Sequence, residues 1–233
     1  MTLDVAQQSF FETHGYLVVE NVLAPTIIEN IRMEYATVLD GLYEGWLSAG
    51  RVPAVDGFDA RLRAAYSAGC DWFQPMDISL PGTEIAADTP FHIGPAVFDM
   101  MTAPALLDIV ESLIGPEITS TPIQHVRIKP PAALRRSDEN RVHLDKTDWH
   151  QDRGVAHADA DETNMVTVWL AITDATPENG CLQVVPGAHR DALKTHCPSG
   201  LQLAIPDQAM DKAMVEAGLS PVSKVVYPTP VYS

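Results

Sequence analysis

His150 and Asp152 stand two positions apart in Trp149-His150-Gln151-Asp152, and twelve residues later comes the apolar run Asn164-Met165-Val166-Thr167-Val168-Trp169-Leu170. If the first stretch is a strand, both side chains leave the same face and can share one metal ion. A neutral imidazole and a carboxylate are two of the three ligands of the 2-His-1-carboxylate triad, which holds non-haem Fe(II) with coordination positions left open. A His-x-Asp triplet also arises often by chance, so its neighbours decide how far it can be read.

The elements that must position the pair follow from periodicity. Asp4 or Thr2 can cap a short helix with Val5, Phe10 and Phe11 on its apolar face, stopped by Gly15, and Tyr16 to Val19 reads as a short strand. From Ala24 to about Gly41, Ile27, Ile28, Ile31, Tyr35, Val38 and Leu39 recur at helical spacing behind Pro25, a first-turn proline. Glycine and proline interrupt residues 45 to 99, which predicts loops with short helices, one of them at Asp59 to Ala68. His92, between Phe91 and Ile93, reads as a satisfied, partly buried histidine, and His14 as a helix-end residue.

Ala103 to Leu113 predicts another helix, with Gly115-Pro116 beyond its end. Ile118 to Lys129 alternates: Gln124, Val126 and Ile128 point one way, His125, Arg127 and Lys129 the other. Loops at 130–147 and 153–162 flank the His-x-Asp motif. Asn164 to Ile172 reads as an apolar strand, Thr176 to Gly180 as a polar turn, and Cys181 to Val185 as the returning strand; such hairpins build jelly-roll or cupin-like barrels. Asp207 to Glu216 is helical in composition.

Three patches carry a resemblance. They are Trp149 to Asp152, the run Val168-Trp169-Leu170-Ala171-Ile172-Thr173-Asp174-Ala175-Thr176-Pro177-Glu178-Asn179-Gly180-Cys181-Leu182, and Val185-Pro186-Gly187-Ala188-His189-Arg190. Together with Phe10 to Val19 and Lys129-Pro130-Pro131, they closely resemble the phytanoyl-CoA dioxygenase family of Fe(II)- and 2-oxoglutarate-dependent oxygenases. The resemblance runs in patches from about residue 9 to about 205. It implies a mainly β fold with flanking helices around a double-stranded β-helix (jelly-roll, cupin-like) core. The expected organisation is one domain over 1–233, with a helical and loop part at 1–115 packing on barrel strands at 116–205 that carry the metal motif.

The same resemblance implies a dioxygenase that consumes O2 and 2-oxoglutarate at Fe(2+), releases succinate and carbon dioxide, and hydroxylates a small organic substrate. His150 and Asp152 are then the catalytic metal ligands. Lys129, Thr167 and Trp169 are expected near the cosubstrate, and Gln124 and Arg127 near the substrate. Related halogenases replace the carboxylate ligand by a small residue, so Asp152 favours hydroxylation. Pro186-Gly187-Ala188-His189 is similar to the family's Pro-Gly-Ser-His stretch, in which the histidine is structural, with Ala188 in place of serine. Asn179 and Gly180 are expected to shape a turn.

One departure stands out. The family places a second metal histidine on a late strand and an arginine for 2-oxoglutarate about ten residues further on, yet no arginine follows Arg190 and no histidine follows His196. The expectation is a chain that stops before the barrel closes: a fragment of a longer enzyme, with a truncated gene or lost catalysis as alternatives. His189 or His196 could substitute as third ligand.

Composition narrows the classes. With 15 basic against 31 acidic side chains in 233 residues, the chain repels nucleic-acid backbones. No run approaches eighteen apolar residues, and Met1-Thr2-Leu3-Asp4 lacks the features of a signal peptide. Cys70, Cys181 and Cys197 cannot all pair within the chain, which reads as reduced thiols in a cytoplasmic protein. Two other classes stay open: a catalytically inactive small-molecule-binding homologue, and a metal-dependent cupin-type enzyme that does not use 2-oxoglutarate.

Overall fold

The apolar stripe behind Pro25 folds as the longest element. The computed structural model describes residues 1–70, 73–76, 92, 94–120, 125–129, 134, 147–155, 163–176, 178–194, 196–199, 202–206, 210 and 225–226. The chain divides into two units interleaved in sequence. Met1–Val22, Pro104–Ile118 and Lys146–Ser233 form the first, and Leu23–Ala103 with Thr119–Asp145 the second.

In the second unit, α2 spans Pro25–Ser48 and buries Ile28, Ile31, Tyr35, Leu39 and Tyr43 along one side. The expected helix ended near Gly41; the observed one runs through Gly41 and Gly45. Each of those glycines costs about 1 kcal/mol of helix propensity. Complete burial of the Tyr43 ring, 1 % exposed with its hydroxyl donating to the Pro53 carbonyl at 2.7 Å, offsets that. An aromatic side chain buried to this degree contributes on the order of 3 kcal/mol. Against α2 pack α3 (Phe58–Ser67), α4 (Phe73–Met76) and α5 (Pro95–Met101). They supply Leu62, Ala65, Tyr66, Met76, Val97 and Met100 to the core.

One set of side-chain hydrogen bonds in this unit ties its elements together. Glu34 of α2 meets Nε2 of His92 at 2.6 Å through Oε1, and its Oε2 accepts the Ala96 N–H at 2.7 Å. The first turn of α5 has no side-chain cap of its own, so Glu34 satisfies one of its orphan donors. His92 is thus partnered and largely buried, as its setting between apolar residues suggested.

In the first unit, α1 (Val5–His14) begins at a capping box: the Asp4 carboxylate accepts the Gln7 N–H at 2.8 Å, and the Gln7 side chain accepts the Asp4 N–H at 3.0 Å. Gly15, with φ 76°, closes it. The expected apolar face is covered only in part, at Phe11. No residue of α1 is buried, and Val5 is 83 % exposed. The helix is held at its ends instead, first by buried Leu3, whose N–H reaches Ser112 Oγ at 3.3 Å on α6 (Pro104–Ile114).

The strands β1 (Gln183–Val184) and β4 (Val225–Val226) pair antiparallel, Gln183 opposite Val226, and β2 (Cys197–Ser199) pairs with β3 (Gln202–Ala204) in the same sense. β1 falls within the returning strand expected at Cys181 to Val185. Strands expected at Tyr16 to Val19 and Asn164 to Ile172, and across Ile118 to Lys129, are not assigned among the described residues. Alternation shows which side chains can be covered, but a strand also needs a partner in register, and that partner is distant in sequence. Over 125–129 the alternation itself holds, with 126 and 128 more covered than 125, 127 and 129.

The Thr176 to Gly180 turn is present. Asn179 and Cys181 both donate backbone N–H groups to the Thr176 carbonyl, and the Asn179 side chain bridges Thr176 N and Asp174 O. Cys70 and Cys181 are free thiols and buried. No helix among the described residues is long and apolar enough to cross a membrane.

Candidate metal centre

The residue before the motif is pinned first. The Trp149 carbonyl accepts the Ile205 N–H at 2.7 Å, and the Trp149 ring packs with Val185 on buried Ile205 and Met210. The chain then turns. Asp152 opens a 3-10 turn, Asp152–Val155, closed by the Gly154 N–H donating to the Gln151 carbonyl at 2.8 Å. His150 and Asp152 are therefore brought together by a turn and not by strand alternation. Their side chains still converge: His150 Nε2 lies 3.1 Å from Asp152 Oδ1. Two metal–ligand bonds of about 2.1 Å at a right angle place their donor atoms about 3.0 Å apart, so the spacing fits adjacent ligands of one ion.

The ring orientation fits as well. Nδ1 of His150 is 2.8 Å from the Asp148 carbonyl, which can only accept, so Nδ1 carries the proton. Nε2 then faces Oδ1 either with a second proton or with a lone pair shared with a cation; a bare lone pair against a carboxylate oxygen would be repulsive. A backbone carbonyl on the far nitrogen is the usual way a metal-binding histidine is held in its tautomer. The other carboxylate oxygen, Oδ2, accepts the hydroxyl of Thr167. The hydrogen bond from His150 holds the Asp152 carboxyl below its ordinary value, and the Thr167 hydroxyl adds to this, while burial works against both.

The other expected site residues are placed individually. Thr167 reaches the Asp152 carboxylate with its hydroxyl. Trp169 is 44 % exposed. Arg127 and Lys129 lie on exposed positions of the second unit, and Gln124 lies outside the described residues. Both candidate substitute ligands face backbone groups. His189 turns Nε2 to the Glu12 carbonyl at 3.0 Å, beside α1. His196 has Nε2 on the Gln151 N–H at 2.9 Å and Nδ1 on the Lys194 carbonyl at 2.7 Å, so both of its nitrogens are committed. Among the described residues no cluster of three metal-ligating side chains occurs.

A cleft of about 380 Å³ opens beside the motif, lined by His150, Val184, Pro186, Lys194 and Ile205 among others. Among its described lining residues Lys194 is the cation, paired with Asp191 at 2.8 Å. Sequence reasoning missed Gln151, Gly154 and His196 as supports of the motif; they become visible only when Lys194 and His196 come back onto the turn.

Comparisons with known proteins identify the family. The profile of the phytanoyl-CoA dioxygenase (PhyH) family matches residues 11–219. The peroxisomal phytanoyl-CoA dioxygenase of Bos taurus is 22 % identical over 199 residues, covering 83 % of this chain and 50 % of its own length. A probable phytanoyl-CoA dioxygenase of Caenorhabditis elegans is 24 % identical over 203 residues, covering 83 % and 55 %. Phytanoyl-CoA dioxygenase 1 of Oryza sativa subsp. japonica is 42 % identical over a short stretch of 45 residues, covering 19 % of this chain and 15 % of its own. The chain thus spans about half the length of the full-range relatives it matches. No solved structure matches it. With the match running through nearly the whole described chain and across the converging His150 and Asp152, the protein belongs to the phytanoyl-CoA dioxygenase family.

Proposed function

We propose that this protein is a non-haem Fe(II)- and 2-oxoglutarate-dependent dioxygenase that hydroxylates a small organic substrate with release of succinate and carbon dioxide. The observation that carries the reading is the 3.1 Å approach of His150 Nε2 to Asp152 Oδ1, in a chain of this family. A double-stranded β-helix core belongs to the same proposal, as do Lys129 and Trp169 near the cosubstrate and Gln124 and Arg127 near the substrate.

Each residue has a definable task. His150 offers the Nε2 lone pair, its ring held by the Asp148 carbonyl. Asp152 offers Oδ1 while Thr167 occupies Oδ2, which keeps the carboxylate from swinging to present both oxygens at once. Bound iron would supply dioxygen activation coupled to oxidative decarboxylation of 2-oxoglutarate. The apolar walls of the cleft, Val184, Pro186 and Ile205, would exclude water beside it. A carboxylate ligand leaves no place for a halide, so hydroxylation is the favoured outcome.

The test is iron content and succinate release of the anaerobically reconstituted chain, with His150→Ala and Asp152→Ala alongside. Retained iron with succinate release that drops to background in both variants supports the reading. Iron without 2-oxoglutarate consumption would favour a cupin-type enzyme, no metal uptake a binding protein, and undiminished succinate release by either variant would remove the assignment.

A further inference from the structure

The turn that joins the two ligands is bracketed from one side. Gln151, the residue between His150 and Asp152, donates its backbone N–H to His196 Nε2 at 2.9 Å. Its side-chain oxygen accepts the Lys194 N–H at 2.8 Å, and its carbonyl accepts the Gly154 N–H at 2.8 Å. The polar groups of Gln151 thus fix the intervening residue from backbone to side chain. The imidazole of His196 also lies against Gly154: a Cβ there would stand 2.5 Å from His196 Cε1 and 2.6 Å from Nε2. Only glycine leaves that room.

The donor pattern defines the state of His196. A backbone N–H can only donate, so Nε2 accepts; the Lys194 carbonyl can only accept, so Nδ1 donates. One neutral tautomer satisfies both contacts. Its lone pair is spent on the motif's backbone and not on an ion.

We infer that His196, acting with Gln151, is a positioning residue that holds the His150-Gln151-Asp152 turn in ligating geometry, and is not itself a ligand. The inference rests on the proposed metal site and adds to it the part that preorganises it. Without the bracket, Gln151 could rotate about its own backbone, and the two donor atoms on either side would no longer converge. Supports of this kind, when removed, typically weaken metal binding 10- to 100-fold.

Cobalt(II) is a suitable probe, because its visible spectrum reports ligands directly. Titration of the metal alone into the full chain is compared for wild type, His196→Ala, His196→Gln and Gln151→Ala, with thermal unfolding as the check on folding. The expected result is a Kd raised roughly 10- to 100-fold in His196→Ala, largely restored in His196→Gln, whose amide oxygen can accept the same N–H. The band positions of the saturated complex should be unchanged in both, since no ligand is lost. Gln151→Ala, which removes only the Lys194 tie, should weaken binding several-fold and keeps the test open if His196→Ala does not fold.

A folded His196→Ala or Gln151→Ala chain that binds cobalt as wild type does would overturn the inference and leave the metal site standing. A saturated spectrum that loses a ligand band in His196→Ala would make His196 a ligand and overturn it too. A wild-type chain that takes up no cobalt would sink the metal reading, and this inference with it.

Discussion

The hydroxyl of Thr167, fifteen residues beyond Asp152 in sequence, donates to one oxygen of the Asp152 carboxylate while the other oxygen faces His150. That contact makes Thr167 an orienting partner for the ligand. Thr167→Val keeps the shape and removes the donor. A hydrogen bond to a charged group contributes about 1.5–3 kcal/mol when dry, but Asp152 is 42 % exposed and solvent discounts it. Metal affinity should fall by about three- to tenfold, read by titration with cobalt(II), with little change in melting temperature. Equal affinity in the variant would show that the carboxylate orients itself.

The same partners make the metal-free protein sensitive to acid. Asp152 is held below its ordinary value of 3.8, chiefly by His150. A carboxyl depressed in the folded state contributes stability that is complete above the unfolded value and lost as pH falls through the folded one. The stability gap between wild type and Asp152→Asn should therefore shrink as pH falls below about 4. Denaturant unfolding at four or five pH values measures it, and a gap that widens in acid would contradict the sign.

Gly15 should tolerate no side chain. Its φ is 76°, and a Cβ would stand 2.2 Å from His189 Nδ1. Left-handed backbone costs a non-glycine residue about 1–3 kcal/mol, and the displaced imidazole loses its Glu12 contact besides. Gly15→Ala is expected to destabilise by about 2–3 kcal/mol in urea unfolding. A loss under 0.5 kcal/mol would mean that His189 simply moves aside.

Glu34 caps α5 and pairs with His92 at once, both side chains being largely covered. Glu34→Gln retains one acceptor but lacks the charge, so one of the two partners is left facing an amide hydrogen. About 1–2 kcal/mol of stability should be lost, and an unfolding curve identical to wild type would rule out Glu34 as a tie between α2 and α5.

What could be read beforehand divides along physical lines. α2, α3 and α6 follow from side chains spaced three and four apart, a local signal that the helix itself satisfies. The capping box at Asp4 and the Asn179 turn are equally local. His150 and Asp152 were legible as a pair, though the route to convergence was a turn and not a strand. The contact of Thr167 with Asp152 was not legible, because nothing in the spacing of 152 and 167 indicates that the two side chains meet. His196 carried the least signal: an imidazole that accepts a backbone N–H has the same sequence appearance as one that binds metal.

The ends of α1 have a consequence for the order in which the molecule assembles. Its last carbonyls are met from far along the chain: Gly187 N–H donates to His14 O at 2.8 Å, while His189 and Arg190 both reach Glu12 O at 3.0 Å. A helix with no buried residue gains little until those donors arrive, and bringing them in closes a loop of more than 170 residues. The first helix in the sequence should thus be among the last elements to dock during folding. It should also be among the first to open, with amides in α1 exchanging hydrogen well ahead of those in α2.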